Sequence, residues 1–214
     1  MEGTRNVAHR LFDVPGAASR LARRISDELG YDEDRREVLA FGLQVLLSAV
    51  LDAGLVLLVA AVFGVARTAA WAIVVGGGLR AVSSGGHCSS AGRCAVLTAI
   101  TYIPLALAAE KLLDGAPVGL MLALCAASFT FLLLAAPPGG LHEERNARLR
   151  PFAFSVVAVY TTFVLVTAAL QRARYSAPVV AAGLAMFWQS FTVTRVGRMV
   201  VAGADSILKT IGIE

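Results

Sequence analysis

Charge is scarce in this chain: Asp, Glu, Lys and Arg make up 16% of 214 residues, and only two of the 19 basic residues are Lys. There are 3 Cys and 3 His, and aromatic residues reach only 7%. Three cysteines, sparse and odd in number, exclude a disulfide-stapled secreted scaffold. The shortage of polar residues excludes a disordered chain, and no collagen-like glycine repeat is present. With 57% hydrophobic residues and a mean hydropathy of +0.70, a soluble particle of 22.4 kDa could not keep its apolar surface from water. The remaining class is an integral membrane protein.

The charge is also unevenly spread. Residues 1–37 hold seven Arg and eight carboxylates, 15 of the chain's 34 charged residues. The net charge of +4 does not point to nucleic acid, because no Lys/Arg stripe with interleaved aromatics is present. Apolar stretches near the spanning length of about 20 residues run over Val38–Val65, Cys94–Leu113, Ala116–Ala136, Phe152–Leu170 and Ala177–Val193. A sixth, Ala69–Leu79, rises only about 17 Å as a helix against a hydrocarbon core of about 30 Å. It must extend through Gly76-Gly77-Gly78 and Arg80 to Ser84, or dip in and return. Either way, polar backbone lies at membrane depth, where it must pack on protein or line a wet cavity.

The expected fold is therefore all-α: a polytopic membrane protein of about six segments, the second short or re-entrant. With six crossings and the N-terminus inside, 15 basic residues fall inside and four (Arg67, Lys111, Arg172 and Arg174) outside, which predicts cytoplasmic termini. The first 37 residues lack an apolar signal-peptide core. We divide the chain into a cytoplasmic amphipathic helical region (1–37), a transmembrane domain (38–200) and a short cytoplasmic tail (201–214). In the first region Val7, Leu11, Val14, Ala18, Leu21, Ile25 and Leu29 recur at helical spacing, with a kink or break expected at Pro15-Gly16. Such a helix lies on the inner leaflet, docks a partner helix, or caps the protein's own loops.

Chemistry concentrates between Arg80 and Cys94, which contains one His and two of the three Cys. Cys94 opens a spanning helix, where unpaired N–H groups favour a thiolate, and Arg93 is adjacent. His87 lies seven residues earlier, about 10.5 Å away along an unbroken helix, too far for proton transfer. The pair requires a turn, for which Gly85, Gly86 and Gly92 supply flexible backbone and Ser89 or Ser90 an N-cap. The alternatives are a buried small hydrophobe with a hydrogen-bonding His, or a metal site of His87, Cys88 and Cys94, which lacks a fourth ligand. Cys125, mid-way through an apolar helix, reads as packing.

Arg80, Gly85, His87, Ser90 and Cys94, with six residues between Arg80 and His87 and six between His87 and Cys94, resemble the motif of the accessory gene regulator B family. These are membrane cysteine endopeptidases that process autoinducing-peptide precursors in Gram-positive quorum sensing. The resemblance extends to Phe41-Gly42-Leu43-Gln44 and to Ala136-Pro137 before a basic inner loop. It implies that Cys94 attacks a precursor peptide bond on the cytoplasmic side with His87 as general base and then acid. An acyl-thioester would form, and a Cys or Ser of the precursor would displace it to close a thiolactone or lactone.

The resemblance further implies that Arg80, Gly85 and Ser90 bind substrate or the oxyanion, and that Arg145, Arg148 and Arg150 attract an acidic precursor tail. It also implies a homodimer, for which Gly183, Ala185, Ser190 and Gly197 would permit close packing, and no cofactor. The partners expected are a short propeptide with an amphipathic N-terminus and an acidic C-terminus, and the lipid bilayer.

Gly86 stands where the family commonly has an aromatic, Cys88 where it has a small alanine, and the loop from Pro137 to Arg145 is short and lacks Lys. Asp52 lies mid-way through the first span, where a carboxylate is costly; Gln44 and Arg80 are candidate partners. With the glycine-rich second segment, Asp52 motivates the alternative of a small transporter or channel. An idle membrane scaffold is a third reading.

Overall fold

The computed structural model describes residues 13–83, 85–135, 142–171 and 174–213, and over 142–150 and at 171 it describes the backbone alone. Helix α1 (Val14–Leu29) starts where Asp13 Oδ1 accepts the Gly16 N–H at 3.0 Å. Pro15 sits in its first turn, where a missing N–H costs nothing, so it begins this helix instead of kinking one. Gly30, at φ +65°, ends it in the left-handed conformation. Val7 and Leu11 lie outside the described residues.

The packed stripe of α1 also departs from expectation. Val14, Ala18, Ala22 and Ser26 are buried, whereas Leu21 and Leu29 point outward. Small residues four apart let α1 approach α2 (Glu33–Val62) closely, and the larger apolar side chains face away from the protein. Helix α2 is capped by Asp32, which accepts the Arg35 N–H at 2.9 Å. Along its 30 residues only Val56 and Ala60 are fully buried, so most of its apolar surface is available to lipid. The boundary expected after residue 37 falls inside this helix.

After a turn at Gly64 (φ +72°), helix α3 (Ala66–Ala72), a π-helical turn (Ile73–Gly77) and helix α4 (Gly78–Ser83) follow without a break. The short second segment thus reaches Arg80 by extension and not by turning back. At Gly76 a Cβ would come within 2.4 Å of Tyr102 Oη and 3.0 Å of Ala185 Cβ, so only glycine fits between these neighbours. Helix α5 (Ala91–Leu112), β1 (Ala116–Pro117), α6 (Val118–Leu134), α7 (His142–Gln171), β2 (Arg174–Tyr175), α8 (Ala177–Val193) and α9 (Arg195–Thr210) complete the chain. The two short strands pair antiparallel, Ala116 opposite Tyr175.

Helix α8 is the hub, packing on α3, the π turn, α4, α5, α6 and α9. Its Val180, Ala181, Ala185 and Met186 are fully buried, and a Cβ on Gly183 would meet Met121 Cε at 2.9 Å. The small residues expected to form a dimer face are thus already used: Gly183, Ala185 and Ser190 are buried within the chain, and Gly197 lies against the Phe191 carbonyl. At Thr194 the chain bends by 94° into α9. The boundary expected after residue 200 therefore falls inside a helix.

Polar groups gather at two ends of the bundle. At one, Thr68 donates to Glu110 at 2.5 Å, Asp114 accepts the Ala177 N–H at 2.8 Å, and the Gly115 N–H bonds Tyr175 O at 2.9 Å. The Arg80–Cys94 stretch and α9 occupy the other. Helices α2 and α5 and residues 151–170 of α7 are long and apolar enough to cross a membrane, and α8 with α9 makes a fourth if the bent pair counts as one span. Among the described residues the protein is thus all-helical with three to four candidate spans by that measure, against the expected six or so. Helix α6 is apolar but has only 17 residues.

Candidate active site

Three elements build the site. Helix α4 brings Arg80, the loop after it carries Gly85 to Ser90, and the first turn of α5 carries Cys94. Ser90 is the N-cap of α5: its Oγ accepts the Arg93 N–H at 3.2 Å, and its carbonyl accepts the Cys94 N–H at 3.1 Å. The helix therefore begins just before Cys94, and the sulfur lies where the end of a helix favours negative charge.

The loop turns as the His87–Cys94 separation requires. One guanidinium nitrogen, Arg80 Nη2, donates to Cys94 Sγ at 3.2 Å and lies 3.0 Å from His87 Nδ1. A guanidinium has only donors, so Nδ1 is the acceptor and keeps its lone pair in this arrangement. Cys94 and Cys88 also share a hydrogen bond. That bond, and then burial, push the Cys88 thiol up, so it stays protonated. His87 is exposed and Cys94 half-buried, so the cluster opens outward.

Backbone packing explains the glycines. A Cβ on Gly85 would meet Thr192 Oγ1 at 2.5 Å and Gln189 Nε2 at 2.7 Å, and one on Gly86 would meet Val201 Cβ at 2.9 Å. The Gly86 N–H bonds Thr192 O at 3.2 Å. The space an aromatic would need at position 86 is thus taken by Val201 of α9.

Of the residues expected in the site, Arg80, His87 and Cys94 come together, Gly85 packs on α8, and Ser90 serves as a helix cap. Arg145, Arg148 and Arg150 fall on α7, which packs on α4, but their side chains lie outside the described ones. Asp52 lies near Arg80 and Cys94, though its buried Oδ1 accepts no hydrogen bond among the described residues. Gln44 is exposed. Among the described residues no three His, Cys, Asp or Glu converge as metal ligands.

No carboxylate lies within the Arg80–Cys94 stretch in sequence, but the fold brings one to it. Asp205 of α9 accepts from Ser89 N at 3.1 Å, Ser89 Oγ at 2.6 Å and Arg93 Nε at 2.7 Å. Separated from Ser89 by 116 positions, it has no local signature. The only hint was its place as a carboxylate on an otherwise apolar and basic C-terminal helix.

The fold and this cluster define a helical membrane protein with a cysteine, histidine and arginine converging at one end of its bundle. Residues 18–193 match the family described as Accessory gene regulator B, and the chain belongs to it. AgrB-like protein 2 of Clostridium perfringens (strain 13 / Type A) is 31% identical over 83 residues. That stretch is 39% of this chain and 39% of the relative's length. No solved structure matches the chain.

Proposed function

We propose that the protein is a membrane-embedded cysteine endopeptidase that removes the C-terminal part of a short quorum-sensing propeptide and promotes its cyclisation. The observation that carries this reading is the single Arg80 nitrogen shared by His87 Nδ1 and Cys94 Sγ at the start of α5. Family membership supports it.

In this reading the Cys94 sulfur attacks the scissile carbonyl carbon. His87 takes the thiol proton at Nδ1 and delivers it to the leaving amine, whose release leaves an acyl-thioester on Cys94. Arg80 gives up Nδ1 as the proton arrives and turns its N–H groups to the oxyanion, which needs donors only while it exists. A precursor thiol or hydroxyl then attacks the thioester, losing its proton to His87; the Cys94–acyl bond breaks, the sulfur takes that proton back, and the retained segment leaves as a thiolactone or lactone. Exchange of one thioester for another is nearly isoenergetic, so the thiolactone case requires no ATP.

Gly85 keeps the loop backbone close to α8, and Ser90 holds the helix end beside the reacting carbonyl. Arg145, Arg148 and Arg150 draw in an acidic propeptide tail. The site faces the cytoplasm, with both termini on that side, and the enzyme works as a homodimer.

The test is co-expression with candidate short precursors and mass spectrometry of the products. A truncated or cyclised peptide is expected from the parent protein. Cys94→Ser should abolish it, and His87→Ala should lower its rate by about 10²- to 10⁴-fold. Processing that persists in both variants rejects the peptidase reading.

A further inference from the structure

The proposed chemistry uses Arg80, His87 and Cys94 and leaves the polar cluster beside them without a role. Ser89 follows His87 by two positions and Arg93 precedes Cys94 by one. Both converge on Asp205. Its Oδ2 accepts Ser89 N at 3.1 Å and Ser89 Oγ at 2.6 Å, and its Oδ1 accepts Arg93 Nε at 2.7 Å. Arg93 Nη2 donates to Ser89 Oγ at 2.7 Å and closes the ring of bonds, while Nη1 donates to Ile213 O at 3.0 Å. The Arg93 and Asp205 side chains are 10% and 16% exposed, so water screens the pair little.

The position of these bonds gives them a function. His87 and Cys94 would stand about 10.5 Å apart on a straight helix, so their meeting depends on the turn at Ser89-Ser90. Asp205 holds both sides of that turn at once. The other described backbone tie of the loop to another element is Gly86 N–H to Thr192 O, which comes from the same α8–α9 corner. Helix α9 meets the loop with Val201 and Asp205, on the same face as buried Gly197 and Leu208 at helical spacing, and turns Val196, Met199, Val200 and Ile207 outward.

We propose that Asp205 is a positioning residue for the Cys94–His87 pair: from the C-terminal helix it locks the Ser89–Arg93 turn and so holds the two reacting groups in register. Asp205 touches neither reacting atom and acts through Ser89 and Arg93. Only the catalytic importance of the register rests on the peptidase reading. The lock itself can be measured without substrate.

The test is the rate at which iodoacetamide alkylates each cysteine of the full-length protein in detergent or lipid discs, read by peptide mapping. The groups around the Cys94 sulfur are Arg80 on α4, His87 and Cys88 on the loop, and Asp52 on α2, and all are kept. Asp205→Ala should slow Cys94 alkylation by about tenfold or more, the scale on which small misplacements act. Buried Cys125 should stay equally unreactive, which shows the bundle intact.

Asp205→Glu should restore much of the rate, and Asp205→Asn, which keeps an acceptor for Ser89 but loses the ion pair, should fall between. The effects of Arg93→Ala and Asp205→Ala should combine to less than their sum, because both break the Arg93–Asp205 pair. A Cys94 rate in Asp205→Ala equal to or above the parent's, with Cys125 still protected, overturns the proposal. So does a fully additive double variant. If Asp205→Ala fails to fold, the Asn and Glu variants decide by the same readout. A lock that behaves as expected in a protein that processes no precursor leaves Asp205 in place and removes only the peptidase reading.

Discussion

At the residue scale, two thiols share one hydrogen bond and differ in what surrounds them. Arg80 donates to Cys94, while Cys88 is kept protonated by its bond to Cys94. Cys88→Ser should therefore keep precursor processing within about threefold of the parent, whereas Cys94→Ser should show none; the product ion ratio in co-expressing cells measures both. Gly85 offers a second check. A methyl there would lie 2.5 Å from Thr192 Oγ1 and 2.7 Å from Gln189 Nε2, inside a corner that cannot yield easily. Gly85→Ala should cost about 1–3 kcal/mol, seen as a lower thermal midpoint in detergent. Gly183→Ala should cost less, because its nearest contact is the flexible end of Met121. These residues were legible in the sequence because their spacing is local: Arg80, His87, Ser90 and Cys94 lie within 15 positions. Ser90 was legible as a possible cap because a cap is set by residues three apart.

At the element scale, the least legible part was the C-terminal helix. Composition marks residues 201–214 as a tail; in the fold positions 201–210 belong to a helix set at 94° to α8, carrying the carboxylate that bonds Ser89 and Arg93 of the motif. No periodicity could reveal this, because a contact between positions 89 and 205 is fixed by the bend at Thr194 and not by local pattern. The packed stripe of α1 differs from its apolar spacing because small residues, Ala18, Ala22 and Ser26, make the close contact while Leu21 and Leu29 point outward. The ion pair also has a pH consequence. The Ser89 donors, and then Arg93, hold Asp205 at about 2, below its ordinary 3.8. A carboxylate lowered on folding stabilises fully above its unfolded value and loses that stability as pH falls through the folded one. The lock should therefore stay intact from neutral pH down to about 4. Asp205→Asn should therefore leave the shape of the Cys94 alkylation profile between about pH 7 and 5 unchanged.

At the scale of the whole molecule, the scarcity of charge makes the two polar ends informative. Arg67, the Thr68–Glu110 bond, Asp114 and the β1–β2 pair gather at one end, and Arg80, Arg93, Cys94 and Asp205 at the other. The chain passes between these ends along α2, back through α3, the π turn and α4, and so on to α8. The basic residues favour the site end as the inner side. A membrane-impermeant maleimide applied to intact cells should thus label Arg67→Cys and leave Gly212→Cys unlabelled until the membrane is opened. Both variants are made on a Cys88→Ser, Cys94→Ser background, whose own labelling is the blank, since Cys125 is buried. Labelling of Gly212→Cys from outside, with Arg67→Cys protected until the membrane is opened, would place the site on the outer face and reject a cytoplasmic peptidase. Labelling of neither would mean that the chain from α2 to α4 dips and returns without reaching the outer surface. Continuous helix from Ala66 to Ser83, about 27 Å long at α-helical rise, argues for the crossing. Its π-helical turn then places Gly76 beside Tyr102 within the bundle, one turn before the Arg80 that bridges His87 and Cys94.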